Sequence, residues 1–197
     1  MLIVLCCVAV LYFNGCAASY SSYLSPSLNR LAQEDYDGAL AKVEKPDGLT
    51  NKLLYSLERG LILHYKGQYR KSNQEFDRAE KTIDRLYTKS LSRSIASLLT
   101  NDAIIAYHGE EFERVMIHYY RAMNYERLGD RQSVLVECRK ANLKLAKYSQ
   151  ESQYDLSYRN DAFLQYMTGM FFEAEGDLND AYVSYRLAEK GYKAYAN

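Results

Sequence analysis

Residues 176–189 read GDLNDAYVSYRLAE: a turn pair, then Ala181, Tyr185 and Ala188 at helical spacing. Looser copies stand earlier, GQYRKSNQEFDRAE at 67–80 and GDRQSVLVECRKAN at 129–142. Aligned on their turns, Tyr36, Tyr69, Arg131 and Leu178 share one register, followed three residues later by Ala39, Ser72, Val134 and Ala181. Seven residues further on, Ala79, Ala141 and Ala188 agree as well. A small side chain at the first of these positions lets a second helix lie close to the one before it. The aromatic four residues on, Phe76 or Tyr185, falls on the same face one turn along; Cys138 stands there in the middle copy. Gly60, Ala122 and Gly169 hold the matching small position of the preceding helix. No such helix pair can bury its apolar face alone, so the copies must stack. The expected class is all-α, a solenoid of antiparallel helix pairs.

Composition agrees. With 2 Pro and 10 Gly in 197 residues, and no run of alternating β-branched side chains, helix is favoured almost throughout. Helices are expected near 26–34, 37–45, 50–66, 70–87, 89–106, 112–128, 131–148, 157–175 and 178–195. The segments 87–107 and 148–161 act as insertions that lengthen the spacing between copies. Lys and Arg total 25 against 25 for Asp and Glu, which provides no basic field for nucleic acid. The 20 Tyr supply large apolar area with a polar tip.

The opening MLIVLCCVAVLYFNG, residues 1–15, is apolar but shorter than the ~20 residues a membrane-spanning helix needs, and reads as a cleaved signal peptide. Phe13-Asn14-Gly15-Cys16 resembles the bacterial lipobox. That resemblance implies lipid on Cys16, a tether over 16–25, a folded domain over 26–197 and, since Ala17 and Ala18 follow, residence at the periplasmic face of the outer membrane. With Cys6 and Cys7 lost in the leader, Cys138 alone remains in the body and reads as a small buried apolar residue.

The repeated pattern resembles the tetratricopeptide repeat (TPR), whose period is roughly 34 residues; Tyr36 and Tyr69 are 33 apart. A narrower resemblance lies in 101–142: Tyr107-x-Gly109-Glu110-x-Phe112-Glu113-Arg114, then Ala122-Met123-Asn124-Tyr125, Gly129-Asp130 and Val136-Glu137-x-Arg139. This block is similar to an uncharacterised family of bacterial TPR-like lipoproteins. The resemblance implies no known activity, and implies that Asn197 is a truncation point. It also implies, as an alternative role, an accessory regulator of peptidoglycan synthesis.

Two constellations are candidates for function. In the tetratricopeptide register, the groove-facing positions of the first helices are Leu54, Leu57, Leu61 and His64; Met116, Tyr119, Met123 and Glu126; and Phe163, Tyr166, Met170 and Glu173. Met is adaptable, Tyr offers rigid contact area, and a trailing Glu suits a basic ligand side chain, so the second and third sets are expected to bind a protein or peptide partner. The other constellation, His108 with Glu110 to Arg114, is dense in proton-transfer groups. An acidic run just before an apolar helix is better read as a helix start, with Phe112 and Val115 anchoring it. His64, His108 and His118 lack metal-ligand spacing, and no phosphate-binding, dinucleotide or nucleophile-elbow motif occurs. Neither catalytic residues, metal nor cofactor are expected.

Overall fold

The computed structural model describes residues 20–43, 48–97, 109–151 and 161–196. The leader, Cys16 and His108 lie outside these. Eight helices and no strand are found among the described residues. The all-α class holds, and none of these helices is long and apolar enough to cross a membrane. The chain divides into two units, 1–43 and 44–197.

In the first unit, α1 (Tyr20–Ala32) packs on α2 (Tyr36–Lys42). Ser27 donates to the carbonyl of Ala39 at 3.1 Å, holding the small residue of α2 against α1. Glu34 turns the corner at φ 60°, the left-handed region that the other copies give to glycine. Asp35 then caps α2, accepting from the Gly38 N–H at 2.9 Å. The start of α1 corrects the expected tether. Residues 20–25 are helical because Leu24, Leu28 and Leu31 repeat at helical spacing across a segment without glycine, and Pro26 is accommodated inside α1.

The second unit contains α3 (Gly48–Tyr65), α4 (Tyr69–Ser97), α5 (Glu111–Leu128), α6 (Arg131–Glu151), α7 (Ala162–Ala174) and α8 (Leu178–Tyr195). They form three hairpins, α3 with α4, α5 with α6 and α7 with α8. Each hairpin's second helix packs on the next hairpin's first, and first helices also touch, α3 with α5 and α5 with α7.

Turn chemistry sets the hairpins. Gly67, Gly129 and Gly176 sit at φ 77°, 72° and 81°, each in open space, so glycine is needed for conformation and not for room. The aspartate after the last two glycines caps the next helix: Asp130 accepts from the Ser133 N–H and Asp177 from the Asp180 N–H.

Close approach within hairpins follows the sequence register. A Cβ on Gly60 would lie 2.8 Å from the Phe76 ring, and one on Gly169 would lie 2.7 Å from the Tyr185 ring. In the middle hairpin the sizes shift from one helix to the other: Ala122 faces a cluster in which the aromatic is replaced by Cys138. The four residues three places into α2, α4, α6 and α8 (Ala39, Ser72, Val134, Ala181) are all buried.

Packing between hairpins buries a second set. Ile83 and Leu86 of α4 cluster with Ile117 of α5, and Leu145 and Tyr148 of α6 with Val115 of α5 and Leu164 of α7. At the same register on α8, Tyr192 and Tyr195 are 49% and 53% exposed. A following first helix, not the hairpin itself, provides that burial.

Two expected boundaries are corrected. The helices expected at 70–87 and 89–106 are continuous through 88, since α4 runs to Ser97; Leu86-Tyr87-Thr88-Lys89 holds no breaker, and Thr88 bonds back to the Asp84 carbonyl at 2.9 Å. Helix α7 begins at Ala162, where Asp161 caps it by accepting from the Leu164 N–H; 152–160 fall outside the described residues.

Candidate functional site

The proposed groove residues occupy the outward face of α5 and α7. On α7 they form an open stripe: Phe163, Tyr166 and Met170 are 50%, 46% and 42% exposed at i, i+3 and i+7. On α5, Met116, Tyr119 and Met123 are half-buried, and Met116 and Tyr119 pack against the Val115–Leu145–Leu164 cluster. The Tyr119 ring joins the two helices, with centroids 6.2 Å from Phe163 and 6.2 Å from Phe171. Tyr166 instead leans on Tyr185 at 5.6 Å. Burial first, and then the nearby Tyr65, push the Tyr119 hydroxyl above its ordinary pKa, so it stays a neutral donor.

The two trailing carboxylates differ. Glu126 is exposed beside Arg127. Glu173 accepts from the Tyr185 hydroxyl at 2.5 Å, which ties it to α8; burial and this bond raise the Tyr185 hydroxyl to about 12. In the first hairpin, Leu54, Leu57 and Leu61 are half-buried, whereas His64 turns inward. Its Nδ1 lies 2.7 Å from Asn124 Oδ1, and Asn124 in turn donates to Ser72 and Asn73. Burial, and after it the Arg127 charge, hold the His64 pKa below the ordinary range despite the Asn124 bond. His64 therefore belongs to a neutral polar link between α3, α4 and α5, not to the groove.

The segment Glu110–Arg114 builds the start of α5. Glu113 accepts from the Glu110 N–H at 2.8 Å, the capping-box bond, and Gly109 ahead of it is at φ 86°. Arg114 folds back to donate twice to the Gly109 carbonyl, at 3.1 and 2.9 Å, with its guanidinium over the Tyr148 ring. Val115 anchors this end as expected, but Phe112 is exposed. Position 112 falls on the face of α5 that carries the half-buried Met116 and Tyr119, nearly opposite the buried Arg114.

Sequence reasoning missed an ionic cluster at the junction of α4, α5 and α6. His118, with no exposed surface, places Nδ1 2.7 Å from Glu137 Oε2; its Nε2 is 3.4 Å from Glu80 but off the line of a hydrogen bond. Arg121 bridges Glu80 at 2.9 Å and Glu137 at 3.0 Å, and Lys140 and Lys144 approach from α6. Burial alone would push the Glu137 carboxyl up, but the His118 bond and the Arg121, His118 and Lys140 charges hold it below its ordinary range. The buried Cys138 thiol next to it is pushed up to about 12, chiefly by burial, which makes it a packing residue and not a nucleophile. A signal for the cluster was present: Glu137 lies between Val134 and Cys138 on the buried side of α6, as Glu75 lies between Ser72 and Phe76 on α4.

No family model matches this sequence, and comparisons with curated proteins and with solved structures give no match either. The resemblance to tetratricopeptide-like lipoproteins rests on the residues quoted for it.

Proposed function

We propose that this chain is a lipid-anchored, tetratricopeptide-like scaffold of the bacterial periplasm, held at the outer membrane through Cys16, that binds a protein or peptide partner in envelope assembly or maintenance. The observation that carries the reading is the apolar stripe Phe163, Tyr166 and Met170, open on α7 and continued on α5 by the Tyr119 ring. Aromatic and Met side chains at helical spacing, half-exposed on a rigid framework, are what a groove for a peptide segment requires. Its small residues at close approach, glycine-turned hairpins and contacts between first helices support the tetratricopeptide-like part of the reading. Glu126 is the carboxylate left to meet a basic ligand side chain, since Glu173 is held by Tyr185.

Phe163 and Met170 are the residues to change, because Tyr119 also packs the core. Phe163→Ala with Met170→Ala should leave the circular dichroism helical and remove a partner captured by the unaltered protein; retained capture would reject the groove. Cys16→Ser should release the protein from the membrane fraction, and undiminished association would reject the anchor.

A further inference from the structure

The junction between α6, α7 and α8 repeats the one between α4, α5 and α6 with its charges removed. In the register set by the turns, Glu80 becomes Asn142, His118 becomes Gln165, Arg121 becomes Thr168, Glu137 becomes Ser184 and Lys140 becomes Leu187. The replacements at 121 and 137 are much shorter. A cavity of about 520 Å³ lies at this second junction, within the range of small-ligand sites, which run to ~300–1,000 Å³.

Its lining is an apolar sleeve with two unmet acceptors beside it, closed off from solvent by their neighbours. Leu143, Val183 and Leu187 line its sides, with Leu143 and Val183 exposed at the surface. Asn142 and Gln165 line it too, and each has a buried amide oxygen without a hydrogen-bond partner among the described residues. Gln165 is 4% exposed. Thr168 and Ser184 do not relieve them: the Thr168 hydroxyl donates to the Leu164 carbonyl, and Ser184 meets the amide nitrogen of Asn142, not its oxygen. Arg139 at the rim is matched by Asp177 at 2.7 Å and Asp180 at 3.4 Å, so these three groups together carry one net negative charge. Buried carbonyl oxygens left unpaired are costly, and a ligand that donates to them gains what the fold alone forgoes.

We propose that this cavity binds an arginine side chain presented by a partner polypeptide. On binding, the Asn142 and Gln165 amides turn toward the cavity so that their oxygens accept from its guanidinium, as Glu80 and Glu137 accept from Arg121 in the first junction, and its aliphatic stem lies along Leu143, Val183 and Leu187. Arginine fits better than lysine because a planar fork can serve two separated acceptors at once. The site uses none of Met116, Tyr119, Phe163, Tyr166 or Met170, so it stands or falls apart from the groove.

The test is titration of the folded chain with N-acetyl-arginine amide, following the side-chain amide resonances of Asn142 and Gln165 by NMR. N-acetyl-lysine amide and N-acetyl-leucine amide serve as comparisons. Saturable shifts with the arginine probe, about tenfold weaker or absent with the other two, and lost in Gln165→Leu, are expected. Asn142→Leu should act likewise, and Phe163→Ala should not. Equal responses to the three probes, no response to any, or an arginine response that survives Gln165→Leu would overturn the proposal; a cavity holding only water gives the second of these results.

Discussion

At the scale of single residues, the fold turns on how much room is left between paired helices. Gly60 and Gly169 face aromatic rings at distances where even a methyl group collides, while the middle hairpin accepts Ala122 because Cys138 replaces the ring. Gly60→Ala should therefore destabilise the protein by about 1–3 kcal/mol through overpacking. Added to Phe76→Cys, the same change should be far less harmful, giving a favourable coupling of about 1 kcal/mol in a double-mutant cycle read by urea unfolding. Simple additivity would show that the two side chains do not share that space. Glu58 is the other residue with a measurable signature. Burial raises its carboxyl to about 7, so its protonated form is the one the native state favours. Its contribution is full below the ordinary value of 4.5 and is lost as pH rises through about 7. Glu58→Gln should raise the melting temperature at pH 8 and leave it nearly unchanged at pH 4, and a pH-independent difference would contradict that assignment.

At the scale of elements, the starts of the second helices of the pairs were legible, whereas the starts of α1 and α7 and the junctions were not. Tyr36, Tyr69, Arg131 and Leu178, aligned from their turns alone, are the first residues of α2, α4, α6 and α8. Gly and Asp at a corner act locally, so the sequence displays them. The ionic cluster was legible only in Glu137, an acid on the buried side of α6; its partners Glu80, His118 and Arg121 meet it only when three helices pack. The expected break near 88 is absent because no residue there stops a helix, so the insertion that lengthens the repeat spacing begins as an extension of α4. Glu137→Gln should destabilise the protein by about 3 kcal/mol, since it removes one counter-charge from a buried arginine and an acceptor from His118. With the folded-state pKa of Glu137 depressed, its stabilisation is present above about 4.5 and fades as pH falls through the lowered value. The variant's stability should thus fall less steeply in acid than that of the unaltered protein, as judged by urea midpoints across pH 2–6.

At the scale of the whole molecule, the 44–197 unit is a series of nearest-neighbour junctions, each burying one face of a hairpin against the next. Of the first helices, α7 carries the most open apolar side chains, and these are aromatic and Met. The eight residues named from the register do lie along α5 and α7, but exposure separates them: α7 supplies the open part, while α5 contributes side chains that also hold the core. The most direct test of the groove is site-specific photo-crosslinking in intact cells expressing the full protein, with the photoreactive residue at Tyr166 in one case and at Val136, exposed on α6, in the other. The account predicts a discrete adduct from position 166 that disappears with Met170→Ala, and none from position 136. Equal labelling from the two positions, or none from 166, would contradict it.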